Sequence, residues 1–260
     1  MTMPHYLKEL GLTAMASNLE MRNQEALNHK LTYLEFISHL STDEWLLREN
    51  RRYTRCLQVA HLNVYKTLET FDMSFNPTLD QKLVKDLVTC RFVEERNPVI
   101  VMGPCGTGKS HLAQAIGFCA LKKGIDVLFT QVGELSVMLQ TARATGTYEK
   151  KIKVLSQLPL LIIDDFALKP FTRMEEEDIH EIIVKRSEKA STLVTSNLTP
   201  NEWGVSFNNQ LLGIATIDRL RYNAYVMMLE GASYRNQAKT RTSSSQDHKV
   251  NQKKKEQVSC

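Results

Sequence analysis

The sequence predicts an α/β protein in which a five-stranded parallel sheet follows a small all-α region. Three observations predict it. Residues 1 to about 75 repeat apolar side chains every three to five positions and hold no convincing strand; from Pro98 onward short apolar runs alternate with helical segments; and a glycine-rich turn, GPCGTGKS at 103–110, joins the first of those runs to a helix. The runs are Pro98 to Met102, Asp126 to Gln131, Leu160 to Asp164, Thr192 to Ser196 and Ala224 to Leu229. Five apolar strands separated by helices imply a parallel sheet covered on both faces.

In the first region, Leu7, Leu10, Met15 and Leu19, then Leu27, Leu31, Leu34, Ile37 and Leu40, mark apolar helical faces. Ser41 or Thr42 before Asp43 and Glu44 predicts a helix start, because a hydroxyl cap and first-turn acids satisfy unpaired N–H groups and oppose the helix dipole. That helix carries Trp45, Tyr53, Cys56 and Leu57 on one arc and Arg48, Arg51, Arg52 and Arg55 on the next. Four arginines on one face can grip a phosphate backbone; alternatively the face is solvated and Glu44 and Glu49 pair locally. Residues 76–97 read as a connector helix beginning after Pro77. The expected domains are thus 1–75, helical; 76–235, the α/β unit with its connector; and 236–260, a polar, serine-rich tail expected to be disordered.

The chain carries 33 Lys and Arg against 29 Asp and Glu, a net charge of +4. Six basic and two acidic residues lie beyond residue 235, so the whole excess sits in the tail, where Lys253, Lys254 and Lys255 can meet nucleic-acid phosphates or simply be solvated. Five scattered cysteines show no metal-ligand spacing and point to a reducing cytosol. No apolar stretch approaches the ~20 residues that cross a bilayer, and the N-terminus lacks a signal-peptide pattern, so a cytoplasmic protein without membrane contact is expected.

The segment GPCGTGKS fits G-x-x-x-x-G-K-[ST], the phosphate-binding loop. A phosphate needs converging backbone N–H donors, which a glycine-rich turn at a helix N-terminus supplies. Gly106, Thr107 and Gly108 would form the cradle within Gly103, Pro104 and Cys105 to Ser110 and His111. Lys109 would reach the β- and γ-phosphates and the Ser110 hydroxyl would ligate Mg²⁺. Strand Leu160 to Ile163 ends in Asp164 and Asp165: the first is placed to hold Mg²⁺ and the second to polarise an attacking water. Asn197 ends the next strand, where its amide can hold the γ-phosphate and the water in line.

GPCGTGKSHLAQAIG, LLIIDDFALKP, LVTSNLTPNEW, IDRL, GASYR and the N-terminal ENRRYTRCLQ together resemble the IstB-like transposition helper ATPases of bacterial insertion sequences, AAA+ proteins related to the DnaC-type helicase loaders and to DnaA. The resemblance spans roughly residues 5 to 236. It implies an AAA+ P-loop domain binding ATP and Mg²⁺, with Gly103 to Ser110 as Walker A, Asp164 and Asp165 as Walker B and Asn197 as sensor 1. Arg219 is implied to be an arginine finger reaching a neighbouring subunit's γ-phosphate, and Arg235 a sensor 2 arginine. The wider pattern has Glu where Asp165 stands. Arg143, Lys150, Lys151 and Lys153 lie where initiator-type relatives carry a helical insert facing DNA. The expected partners are double-stranded DNA, further copies of the chain and a transposase. Two other readings remain: a helicase loader that binds single-stranded DNA, and an ATP-gated scaffold in which Asp165 does not support turnover.

Overall fold

The computed structural model describes residues 2–76, 78–231 and 233–234. Arg235 and the basic tail lie outside the described residues. The chain divides into two compact units, Met1–Val59 and Ala60–Cys260.

The first unit is built from helices α1 (Met3–Glu9), α2 (Thr13–His29) and α3, which runs unbroken from Tyr33 to Ala60. The helix start expected at Ser41 or Thr42 is therefore interior to α3. The start is nine or ten residues earlier, where Thr32 and Glu35 form a reciprocal cap: the Thr32 N–H donates to Glu35 Oε2 at 2.8 Å and the Glu35 N–H to Thr32 Oγ1 at 3.3 Å. Thr42 turns its hydroxyl back onto the Ser38 carbonyl at 2.8 Å, which leaves the helix intact. The acids expected to open a helix instead tie two helices together. Asp43 accepts from Asn18 Nδ2 and Arg22 Nε, both at 2.9 Å, and Glu44 Oε2 accepts from the Ala14 N–H at 2.8 Å.

The second unit holds a five-stranded parallel sheet of order β2-β3-β4-β1-β5, with β1 (Val99–Met102), β2 (Val127–Gln131), β3 (Leu160–Asp164), β4 (Ser191–Ser196) and β5 (Tyr225–Met228). All five expected strands are present to within a residue at either end. Side chains alternate between two faces, both covered over β1, β3 and β4, while Val226 and Met228 of β5 are exposed. Ile100, Leu161, Ile163 and Val194 pack with α7 (Val132–Ala144), α8 (Tyr148–Gln157), α9 (Arg173–Arg186) and the end of α10 (Gln210–Arg221). Ile162 points the other way, into α6 (Lys109–Lys122), where a Cβ on Gly117 would lie 2.9 Å from its Cδ1.

The expected single connector helix is two, α4 (Gln81–Val88) and α5 (Arg91–Glu94), because Cys90 between them adopts a left-handed φ of 60°. α4 begins at Gln81, with Asp80 capping it through bonds from the Lys82 and Leu83 N–H groups. Residues 60–75, expected in the helical region, belong to the α/β unit: the Asn63 N–H donates to Gln114 Oε1 of α6 at 2.8 Å. Among the described residues no helix is long and apolar enough to cross a membrane.

Candidate nucleotide site

Parallel register brings the candidate residues to one edge. Met102 lies opposite Ser196 and Ile163 opposite Val194, so Gly103, Asp164 and Asn197 all emerge at the carboxyl ends of β1, β3 and β4, where such sheets bind ligands. A cavity of about 530 Å³ opens there, lined by Cys105 to His111, Asp164, Asp165 and Asn197.

The loop between β1 and α6 is shaped by its glycines. Gly103 packs so closely on β5's end that a Cβ would stand 1.9 Å from the Leu229 carbonyl oxygen. Gly108, at φ 97°, is the N-cap of α6. Gly103 and Pro104, expected to touch the ligand, do not line the cavity. They build the loop: the Pro104 carbonyl accepts from Lys109 Nζ at 2.8 Å and from Thr107 Oγ1 at 2.9 Å. His111 reaches the Thr67 carbonyl at 3.0 Å and Thr70 Oγ1 at 3.1 Å, tying α6 to the segment before it.

The two acids are braced by one buried hydroxyl. Thr195 Oγ1 donates to Asp164 Oδ1 and accepts from the Asp165 N–H at 3.1 Å. Asp165 takes a left-handed φ of 56°, a conformation Asp tolerates better than most residues, so the chain turns sharply at the strand end while the carboxylate lines the cavity. Asn197 is bracketed in turn: Trp203 Nε1 donates to Ser196 Oγ at 3.0 Å and to the Leu198 carbonyl at 3.2 Å, and Ser196 Oγ donates to the Phe166 carbonyl at 2.7 Å. The Ser110 hydroxyl and the Asp164 carboxylate are hard oxygen donors on one cavity, a set that suits Mg²⁺ shared with phosphate oxygens.

Arg219 is elsewhere. It lies on α10 and lines a separate cleft with Asn97, Pro98 and Thr192, at the amino ends of the strands, and its Nη1 donates to the Ala215 carbonyl at 2.7 Å. Beside it, burial and then the Arg219 charge lower the pKa of His180, whose Nδ1 lies 2.8 Å from Thr216 Oγ1. Arg219 thus cannot complete its own chain's site. Two of the expected DNA contacts carry pairs within the chain: Arg48 is bonded to Glu44 Oε1 at 2.9 Å, and Arg143 forms a bidentate pair with Asp178 and stacks over the Tyr148 ring. Arg143 is held by two charge-assisted bonds to a buried carboxylate, whereas the Arg48 pair is largely exposed. Arg51, Arg52, Arg55, Lys150 and Lys153 are exposed and Lys151 is half-buried.

The sequence reading missed part of the cavity wall. Lys66, Thr70, Phe71, Asp72, Phe75, Asn76 and Tyr234 line it as well. Phe75 and Tyr234 meet edge to face at 4.9 Å, and the Tyr234 N–H donates to the Gly106 carbonyl at 3.0 Å. No motif carries these residues; two phenylalanines four apart just before α4 were the available signal.

A phosphate loop after β1, the fourth strand across a β2-β3-β4-β1-β5 sheet, with two acids at the end of β3 and Asn197 at the end of the intervening β4, defines a P-loop protein of AAA+ fold. The family of IstB-like ATP-binding proteins matches residues 5–242, and the chain belongs to it. A Pseudomonas aeruginosa protein named for ATP binding in insertion sequence IS21 is 34% identical over 88% of this chain and 86% of its own length. A Mycobacterium tuberculosis insertion-sequence protein, named for the same property, is 33% identical over 88% of this chain and 92% of its own. Among solved structures, DnaA bound to AMPPCP and single-stranded DNA superposes with a TM-score of 0.56 at 21% identity, covering 66% of this chain and 52% of that one. The DnaC helicase loader gives 0.56 at 22%, covering 64% and 97%. These two likenesses concern the fold.

Proposed function

We propose that the protein is an ATP-dependent transposition helper that assembles on duplex DNA, recruits and activates the transposase of its own insertion sequence, and is released by hydrolysis of ATP. The observation that carries the reading is the division of the site: Lys109, Asp164, Asp165 and Asn197 share one cavity, whereas Arg219 opens onto the far end of the sheet. Such a site is completed only when a second copy offers its Arg219. The insertion-sequence names of the relatives support the biological setting.

In this mechanism Lys109 leaves the Pro104 carbonyl for the β- and γ-phosphates, and the backbone N–H groups of Gly106 to Gly108 cradle them. Mg²⁺, held by Ser110 and Asp164 when bound, would neutralise phosphate charge. Asp165 polarises the water, Asn197 aligns it, and the neighbour's Arg219 offsets charge gained by the transferred phosphoryl, an effect worth about 10³- to 10⁵-fold in comparable systems. Arg51, Arg52, Arg55, Lys150, Lys151 and Lys153 offer largely sequence-independent phosphate contacts to DNA.

Sedimentation of the full chain with duplex DNA tests this reading. ATP is expected to drive co-sedimentation, Lys109→Ala to abolish it, and Asp165→Asn to preserve it while stopping phosphate release. Assembly of Lys109→Ala with ATP would refute the gating. A clear preference for single strands would favour the helicase-loader reading, and equal phosphate release from wild type and Asp165→Asn the scaffold.

A further inference from the structure

The phosphate loop is pressed at two of its glycines by segments distant in sequence. The loop motif leaves position 106 open, yet a glycine stands there at φ 83°, and a Cβ on it would lie 2.1 Å from Ser233 Oγ and 2.8 Å from Ser233 Cβ. Beside that contact the Gly106 carbonyl accepts the Tyr234 N–H at 3.0 Å. Gly108 is approached in the same way by Phe71, whose Cε2 would meet a Cβ there at 3.1 Å. The two pressing segments then join, since the Phe75 and Tyr234 rings meet edge to face at 4.9 Å. In a planar trans peptide the carbonyl of one residue and the N–H of the next point in opposite directions. The bond from Tyr234 therefore sets the direction of the Thr107 N–H as well, one of the donors that a phosphate loop has to turn inward. Without it, a glycine at positive φ has wide conformational choice and the peptide between residues 106 and 107 is free to turn.

We propose that Ser233 and Tyr234 brace the phosphate loop: the Tyr234 N–H, by holding the Gly106 carbonyl, aims the Thr107 N–H at the incoming phosphate, and the Phe75 ring keeps Tyr234 in place. Tyr234 is a positioning residue in this account, acting through the loop. The inference rests on the nucleotide reading of the cavity and adds to it a coupling: phosphate binding and the docking of residues 233–234 strengthen each other by the same factor.

Calorimetric titration of the full chain with inorganic tripolyphosphate and with ATP, Mg²⁺ present, tests it on three variants. Tyr234→Phe keeps both ring and N–H and is expected to bind both ligands as wild type does. Tyr234→Ala keeps the N–H without the ring, and Tyr234→Pro lacks both, so the comparison of these two isolates the bond. The proline variant is expected to bind tripolyphosphate about tenfold more weakly than the alanine variant, and ATP by about the same factor, because the loss lies at the phosphates. Where the proline variant folds poorly, hydrogen exchange of unmutated protein decides the matter. Saturating tripolyphosphate is expected to slow exchange at the Tyr234 amide about tenfold relative to the amides of α8, no residue of which lines the cavity. Equal tripolyphosphate affinity of the proline and alanine variants, or a Tyr234 amide indifferent to tripolyphosphate, would each overturn the brace. Failure of the nucleotide reading looks different: unmutated protein would bind neither ATP nor tripolyphosphate, and both proposals would fall together.

Discussion

A single carboxylate, Glu44, shows how far one residue's role can sit from its sequence neighbourhood. α2 has Leu12 at its N-cap and no side-chain cap of its own. Glu44, from α3, supplies the missing acceptor to the Ala14 N–H at 2.8 Å and holds Arg48 at 2.9 Å. Burial pushes its pKa up, but Arg48 and the Ala14 and Met15 N–H groups outweigh that and leave it below the usual carboxylate value. Arg48 is 59% exposed, so its ion pair is screened and contributes little; the capping bonds matter more. Glu44→Gln is expected to lower the stability of the helical unit by about 1–3 kcal/mol at pH 7. Since the folded pKa is depressed, the stabilisation is present above the unfolded value of about 4.3 and fades as pH falls through the folded one. Thermal melts followed by helical circular dichroism should therefore separate the variant from wild type at pH 7 and converge well below pH 4; a gap that persists there would rule this account out.

Among the elements, the carboxyl end of β4 governs the site's geometry. Thr195 braces both acids, and Trp203 clamps the turn that carries Asn197 while its ring packs on Phe166 at 4.8 Å. Trp203→Phe keeps an aromatic ring but removes the indole N–H. We expect ATP affinity to stay within about threefold and the turnover number to fall about 10- to 100-fold, because a small misplacement of an aligning group costs that much. Steady-state kinetics beside a binding isotherm would measure the split, and unchanged turnover would remove Trp203 from the positioning of Asn197. The strands and the phosphate loop were legible because each is a local pattern: a short apolar run, or glycines and a Lys-Ser pair at fixed spacing. The start of α3 was misjudged because Ser41, Thr42, Asp43 and Glu44 make a good cap in isolation, and only their partners on α2, some 21–30 residues earlier, reveal their use. Tyr234 carried no local signal as a lining residue, since its place comes from a cavity that distant segments close.

For the whole molecule, the placement of Arg219 turns a chemical question into one of assembly. If Arg219 serves as the finger proposed above, a chain that cannot bring it to its own site would act through head-to-tail contacts, in which one face gives the loop and the other gives the arginine. Two variants damaged on opposite faces should then rescue each other. Asp165→Asn retains Arg219 but cannot polarise water; Arg219→Ala retains every group of its own cavity but has no finger to lend. Each alone should release phosphate at the background rate on saturating duplex DNA and ATP. Mixed in equal amounts, the interface that joins the cavity of Arg219→Ala to the finger of Asp165→Asn is intact, and random association makes that on the order of a quarter of all interfaces. Phosphate release should rise to about that share of the wild-type rate, and it should depend on total protein concentration because assembly precedes chemistry. If the arginine acted within its own chain, no mixture could restore activity, since neither variant would hold a complete site; a flat rate across all mixing ratios would therefore refute the shared site and leave Arg219 with a structural role on α10.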